Sequence, residues 1–205
     1  ERVPNNSQLI AKKLWASFRR GIFITNNNKN LEEYDLVQEF IKNPMLINGF
    51  KFDIRFFIVE ICGVATLLYI KGYNVYGKKK FNYLSMNKDE KINQSMTVNE
   101  FYDENKLPRL FSELKIDKEK VLHKISKKLN IILSATKDRC CSNDKGKINI
   151  FGLDVELLEN GEPMIIEINS SPFIAFDDKW KIDLINNMKF KVLKKDYRDF
   201  IRISP

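Results

Sequence analysis

Apolar and polar positions change period several times along this chain, and each change marks an element. Leu9–Lys12 and Gly21–Thr25 are short β-rich runs. Tyr34–Ile41 is a third, closed by Asn43-Pro44, because the residue ahead of a proline is pushed out of the helical region. Asp53–Ile61 and Val64–Ile70 are rich in β-branched and aromatic residues, broken at Gly63, and predict antiparallel neighbours. The basic segment Lys71–Gln94 reads as irregular. Helical spacing follows. Thr97–Asn105 carries a short helical pattern, and in Asp117–Thr136 the residues Val121, Leu122, Ile125, Leu129, Ile132 and Leu133 share one side, with Asp117 as N-cap. Cys140–Lys147 is a polar loop, and Lys179–Met188 reads as a closing helix.

Between those last two lie Phe151–Leu158 and Glu162–Asn169, strands flanking Asn160-Gly161, a dipeptide that favours a two-residue type I′ turn. Such a turn sets Asp154 opposite Glu167 and Gly152 opposite Asn169. Two carboxylates facing each other on one sheet face, about 5 Å apart at Cβ, repel unless a cation lies between them. Magnesium suits such a pair, because it binds one or two carboxylates, keeps waters and completes its shell with phosphate oxygens. Asn169 lies two residues beyond Glu167, on the same face, and adds a neutral oxygen. Ile165, Ile166 and Ile168 around Glu167, with Ile150, Leu153 and Val155 around Asp154, predict strands covered on both faces, where an acid needs a partner. A solvated strand face carrying one pair of acids is the plainer alternative.

A second cluster sits at Lys51-Phe52-Asp53-Ile54-Arg55. Strand alternation puts Lys51, Asp53 and Arg55 on one face and Phe52 and Ile54 on the other. The charged face is either an ion-pair ladder or a phosphate or ribose site; lysine and arginine neutralise phosphate oxygens, and the arginine fork also holds a carboxylate.

Composition narrows the classes. The chain has 205 residues, 43% hydrophobic and 30% charged, enough for one sizeable core. Neither a long apolar run nor a signal-peptide pattern occurs, which predicts a cytoplasmic protein with no membrane partner. Cys62, Cys140 and Cys141 suit a reducing compartment and have no zinc-ligand spacing. His123, in a lysine-rich helical stretch, is read as a surface or helix-packing residue, which sets aside histidine triads and multi-histidine metal sites. Net charge is +8, with lysines concentrated at Lys78–Lys80, Lys124–Lys128 and Lys189–Lys195. Such a surface attracts acidic polymers. No helix-turn-helix, zinc-finger or aromatic RNA-binding signature accompanies it, so nucleic acid is the weaker reading. Neither a P-loop nor a G-x-G-x-x-G turn is present, so a nucleotide would lie between sheets.

Several ordered motifs now form a pattern: Gln38-Glu39-Phe40-Ile41-Lys42-Asn43-Pro44-Met45-Leu46-Ile47, Gly49-Phe50-Lys51-Phe52-Asp53-Ile54-Arg55, Phe151-Gly152-Leu153-Asp154 and Ile166-Glu167-Ile168-Asn169-Ser170-Ser171-Pro172. Together they resemble the tubulin-tyrosine-ligase-like family, an ATP-grasp branch, from about Leu9 to Asn187. The resemblance implies an α+β ATP-grasp core of mostly antiparallel sheets with packed helices. Residues 1–50 would belong to the nucleotide-binding subdomain, and 51–205 to the C-terminal subdomain with the metal hairpin. It also implies ATP and Mg as cofactors. Lys12 would be a phosphate ligand, Gln38, Glu39, Phe40 and Ile41 the adenine hinge, Lys51, Asp53 and Asn82 further nucleotide contacts, and Tyr83 a substrate contact. Asp154, Glu167 and Asn169 would be metal ligands, with Arg55 and Glu167 catalytic. Family members activate a carboxylate as an acyl phosphate, which the amine of a free amino acid attacks. Glutamate, glycine or tyrosine is thereby added to tubulin or another acidic protein tail, which implies an association with the cytoskeleton or cilium.

The chain departs from the family pattern in four places. Leu14–Arg20, after the first lysine, is bulky where small residues are usual, and the usual arginine after Tyr-x-x-Gly falls near Val75. The His-x-Thr-Asn-Tyr-Ser motif is reduced to Asn82-Tyr83, and the domain that precedes Lys12 in the family is absent from a chain that begins at Glu1, as a fragment or processed product would. Two readings follow: an ATP- and magnesium-dependent amino-acid ligase, or a degenerate member that binds an acidic protein without catalysis.

Overall fold

A computed structural model describes residues 8–13, 21–26, 31–92, 107–140, 145–170, 172 and 179–203, with backbone alone at 136–140. The predicted helix at 97–105 and the bulky loop at 14–20 fall outside the described residues.

Three short strands open the chain: β1 (Leu9–Lys12), β2 (Ile22–Thr25) and β3 (Leu36–Glu39), which form an antiparallel sheet in the order β2-β1-β3. Leu9, Ala11 and Leu31 are buried on one side of it. A larger sheet follows, built from β4 (Leu46–Ile47), β5 (Phe50–Ile61), β6 (Ala65–Tyr76), β7 (Ile148–Leu157), β8 (Pro163–Asn169) and β9 (Phe200–Ile203). Its order is β8-β7-β5-β6-β9, with β4 paired to β5, and every pairing is antiparallel. The helices are α1 (Lys88–Lys91), α2 (Lys118–Cys140) and α3 (Lys179–Leu193).

Strand alternation on β5 decides where the helices lie. Phe52, Ile54, Phe56 and Ile58 face one side, where they bury Leu153, Val155 and Leu157 of β7 against Val121, Leu122, Ile125 and Leu129 of α2. Phe57 and Val59 face the other, packed with Tyr69, Tyr73 and the Ile185, Met188 and Val192 stripe of α3. A sheet covered by a helix on each face buries its central strands completely, and Ile54, Phe56 and Val59 are wholly inaccessible. Asp117 Oδ1 accepts from the Lys120 amide at 3.0 Å, the N-cap that the sequence predicts.

Several boundaries differ from the sequence reading. Lys71–Tyr76 is strand, not irregular segment, because β6 continues past Gly72 alongside β5 through a register shift at Arg55/Phe57. A Cβ on Gly72 would lie 2.7 Å from the Phe56 ring and 2.9 Å from the Arg55 carbonyl oxygen, so the crossing requires glycine. α2 runs on to Cys140, beyond the expected end at Thr136, and α3 to Leu193. β4 and β9 carry too few residues for a periodicity signal, and tertiary pairing creates both. Cys62 is disulfide-bonded, against the reading of the cysteines as suited to a reducing compartment. His123 is exposed, the surface position of the two read for it.

Candidate active site

The β7–β8 hairpin places Asp154 opposite Glu167 and Gly152 opposite Asn169, as the sequence predicts, but by a different route. Leu158 N donates to Glu162 O at 2.9 Å and Gly161 N to Leu158 O at 2.8 Å, which closes a three-residue loop with Gly161 at φ +76°. Asn160 has no positive φ, so the type I′ turn is not formed. The longer loop moves the pairing by one residue, to Leu157↔Pro163 and Val155↔Ile165. An extra residue, Ile166, then restores it at a bulge between Val155 and Asp154. Without that bulge Asp154 and Glu167 would not face each other.

Four strands now align their side chains in rows. Tyr73, Arg55, Asp154 and Glu167 occupy one row across β6, β5, β7 and β8, and Val75, Asp53, Glu156 and Met164 the next. Arg55 grips Asp154 with both arms, Nε to Oδ1 at 2.5 Å and Nη2 to Oδ2 at 2.8 Å. Lys51, 5% exposed, reaches Asp53 at 3.0 Å and Glu156 at 2.7 Å. Burial pushes the Asp154 carboxyl up to about 6, with Asp53 and Glu167 adding to the rise against the pull of Arg55. It pushes Glu156 up to about 7, against the pull of Lys51. The charged face of β5 is therefore an ion-pair ladder, with the acids of β7 and β8 alongside it.

One expectation fails at Glu167. The isoleucines around it predict a strand covered on both faces, yet β8 is the sheet's outer strand and Glu167 is exposed. Isoleucine content cannot distinguish an edge strand from a central one. The plainer alternative is also only partly right, since the Asp154 side chain is 15% exposed while its neighbour across the pair is open to solvent.

The donors fit a hard cation. Asp154 and Glu167 offer carboxylate oxygens on one face, and Asn169 Nδ2 lies 2.8 Å from Glu167 Oε1 and 3.5 Å from Asp154 Oδ2, so the three side chains converge, with the amide oxygen available by rotation. Gly152 supplies the room: a Cβ there would come within 3.0 Å of Pro172 and 3.1 Å of Arg55 Nη1. Among the described residues no three His, Cys, Asp or Glu side chains gather as a metal cluster, so a metal here would rest on two carboxylates and one amide.

The remaining predicted residues divide between the small sheet and the chain that leaves it. Lys12 and Gln38 share a face, since Lys12 pairs with Leu36 two residues from Gln38. Glu39 is exposed and ion-paired to Lys42 at 3.2 Å, while Phe40 is buried and Ile41 half-buried. From Phe40 the chain passes to the large sheet, where Met45 N donates to Leu157 O at 2.7 Å and Pro44 bridges Leu158. Phe40 is stacked on Phe81 at 6.4 Å and tilted against Tyr83 at 6.4 Å, so the expected hinge and the expected substrate tyrosine touch. Asn82 is exposed, and its Oδ1 accepts from the Leu84 amide at 3.0 Å, a turn-forming contact.

Three buried polar residues have no place in the sequence reading. Glu156 could have been found by alternation, as it lies two residues from Asp154. Lys181 is 6% exposed, with its ammonium 5.4 Å from the Tyr73 ring and 5.3 Å from Trp180. Its signal was a lysine on the apolar stripe that continues through Ile185, Met188 and Val192. Lys91, 1% exposed, lies 4.7 Å from the Phe40 ring and 4.8 Å from Tyr83, and donates to the Tyr83 carbonyl. Burial pulls its ammonium down to about 8. Nothing in its local sequence marks it.

Paired antiparallel sheets, flanking helices and a row of acids and cations on the large sheet define an α+β protein of the ATP-grasp-like class. The chain belongs to the tubulin-tyrosine ligase family, whose model matches residues 1–91 and 64–202. It is similar to a probable alpha-tubulin polyglutamylase, Ttll1, of Tetrahymena thermophila, at 24% identity over 95% of this chain and 56% of the relative. It is also similar to a probable tubulin polyglutamylase, ttll-9, of Caenorhabditis elegans, at 22% over 94% of this chain and 51% of the relative. A tubulin glycylase 3D of Tetrahymena thermophila is 23% identical over 86% of this chain and 19% of its own length. The chain thus spans about half the length of the first two relatives or less of the third. No helix among the described residues is long and apolar enough to cross a membrane.

Proposed function

We propose that this chain carries the ATP- and magnesium-dependent core of a ligase that adds an amino acid to an acidic protein tail such as that of tubulin. The observation that carries the reading is the convergence of Asp154, Glu167 and Asn169 beside Lys51, Asp53 and Arg55 on one sheet face, in a member of this family. Relatives named as polyglutamylases and a glycylase support glutamate or glycine as the added amino acid.

Asp154, Glu167 and Asn169 would hold magnesium, which supplies charge neutralisation of the terminal phosphate during transfer. Lys12 and Lys51 bind phosphate oxygens, Gln38–Ile41 line the base, and Asp53 contacts the nucleotide. Arg55 and Lys181, both beside Tyr73, hold the carboxylate of the incoming amino acid. They replace the arginine expected near Val75, which stands opposite Asp53 and contributes no charge. Catalysis is then mostly positioning of the tail's acyl phosphate against the amine. Exposed Lys78, Lys79 and Lys80 attract the acidic tail, whereas Lys124 and Lys128 are both committed to Glu162, at 2.5 and 2.9 Å.

Val75 supports a second reading, a binder of acidic protein without ligation. Titration of magnesium and ATP into this chain tests the first: Asp154→Asn and Glu167→Gln should each weaken binding at least about tenfold, the loss that even second-row partners of a metal carry. Unchanged binding in both removes the metal site. Incorporation of labelled glutamate, glycine or tyrosine into acidic tails, abolished by Glu167→Gln, separates ligase from binder.

A further inference from the structure

Arg55 and a metal ion make claims on the same atoms. Both oxygens of Asp154 already accept from the guanidinium, at 2.5 and 2.8 Å, in a paired geometry that is among the stronger side-chain contacts. Magnesium binds carboxylate oxygen at about 2.1 Å and demands octahedral geometry. A second positive charge at that distance from the same carboxylate faces the guanidinium with little solvent between them, since the two side chains are 12% and 15% exposed. Asn169 adds a second conflict. Its Nδ2 points at Glu167 and Asp154, whereas a metal needs its oxygen there.

We propose that Arg55 competes with the metal for Asp154, so that loading the site frees the arginine fork for an anionic group. The proposal rests on the metal reading given above and deepens it. When the metal takes Asp154, the Asn169 amide turns its oxygen inward and the guanidinium leaves. In the metal-free state Arg55 lies over Gly152 of β7, where Nη1 and Cδ are 3.1 and 3.4 Å from the place of a Cβ, so leaving Asp154 means moving off β7. The side facing away from Asp154 is that of Tyr73, the residue paired with Arg55 across β5 and β6, over which the Lys181 ammonium sits. The freed fork and Lys181 then form a two-cation seat for a carboxylate or phosphate oxygen. Metal binding and anion binding thereby become coupled through one side chain, and the coupling is reciprocal.

The test is manganese binding without nucleotide, followed by the electron paramagnetic resonance signal of free Mn2+, for wild type, Arg55→Met and Arg55→Lys. Removing a charge-assisted competitor should tighten Mn2+ binding by about tenfold or more in Arg55→Met, with Arg55→Lys in between because it keeps the charge and loses the fork. Asp154→Asn should abolish the gain. A second readout needs no variant: in wild type, saturating Mg2+ should shift the Arg55 Nε–H resonance and speed its exchange. Equal or weaker Mn2+ binding by Arg55→Met, in a wild type that binds Mn2+ with ATP, overturns the competition and leaves the ligase reading standing. An Arg55 Nε–H that stays put under saturating Mg2+ does the same, even if the variants do not fold. Failure of wild type to bind Mn2+ with or without ATP overturns both.

Discussion

Glu156 makes the sharpest physical demand on this fold, and replacing it with glutamine isolates that demand. The residue is 3% exposed; Oε2 accepts from Lys51 at 2.7 Å, while Oε1 is buried without a hydrogen-bond partner among the described residues. Desolvation outweighs the lysine and raises its carboxyl from 4.5 to about 7. A raised carboxyl means the folded chain holds the proton more tightly than the unfolded one. Its contribution to stability is therefore complete below pH 4.5 and is lost as pH rises through 7. At about 1.4 kcal/mol per unit the rise corresponds to about 3 kcal/mol between those limits. Glu156→Gln keeps the shape, leaves Lys51 its contact with Asp53 at 3.0 Å, and cannot titrate. The difference in unfolding free energy, wild type minus variant, should thus grow in favour of wild type by about 3 kcal/mol as pH falls from 8 to 4.5. Urea unfolding at a series of pH values, read by the fluorescence of Trp180 packed 5.5 Å from Tyr73, measures it. Parallel stability curves, or a wild type that loses ground on acidification, would show that Lys51 overrides burial and would refute the reasoning.

Gly152→Ala should cost about 1–3 kcal/mol, because the new methyl meets Pro172 at 3.0 Å and the Arg55 guanidinium at 3.1 Å; an unchanged urea midpoint would mean the hairpin yields freely. Asp117→Ala should cost about 1 kcal/mol through loss of the bond to the Lys120 amide, and Asp117→Ser should recover most of it; a variant as stable as wild type would show that the cap contributes nothing.

Much of this architecture was readable from local pattern. β5 and the β7–β8 pair announce themselves by alternation, and α2 by its spaced Val121, Ile125 and Leu129, because a strand or helix with one apolar face has few places to go. The family motifs went further and named Lys51, Asp53, Arg55, Asp154, Glu167 and Asn169, all of which lie on one face of the large sheet.

Other features had no local cause. The opposition of Asp154 and Glu167 depends on a three-residue loop and a compensating bulge at Ile166, neither of which the two-residue turn signal contains; the expected register and the real one coincide because the two shifts cancel. Exposure of Glu167 follows from β8 standing at the sheet's edge, which is a matter of strand order. Glu156, Lys91 and Lys181 acquire their surroundings from elements distant in the chain: Lys51 on β5, Phe40 beyond β3, Tyr73 on β6. Side-chain periodicity is a property of one segment and survives in the sequence. Desolvation and charge pairing belong to pairs of segments, and they come into being only when the sheet assembles.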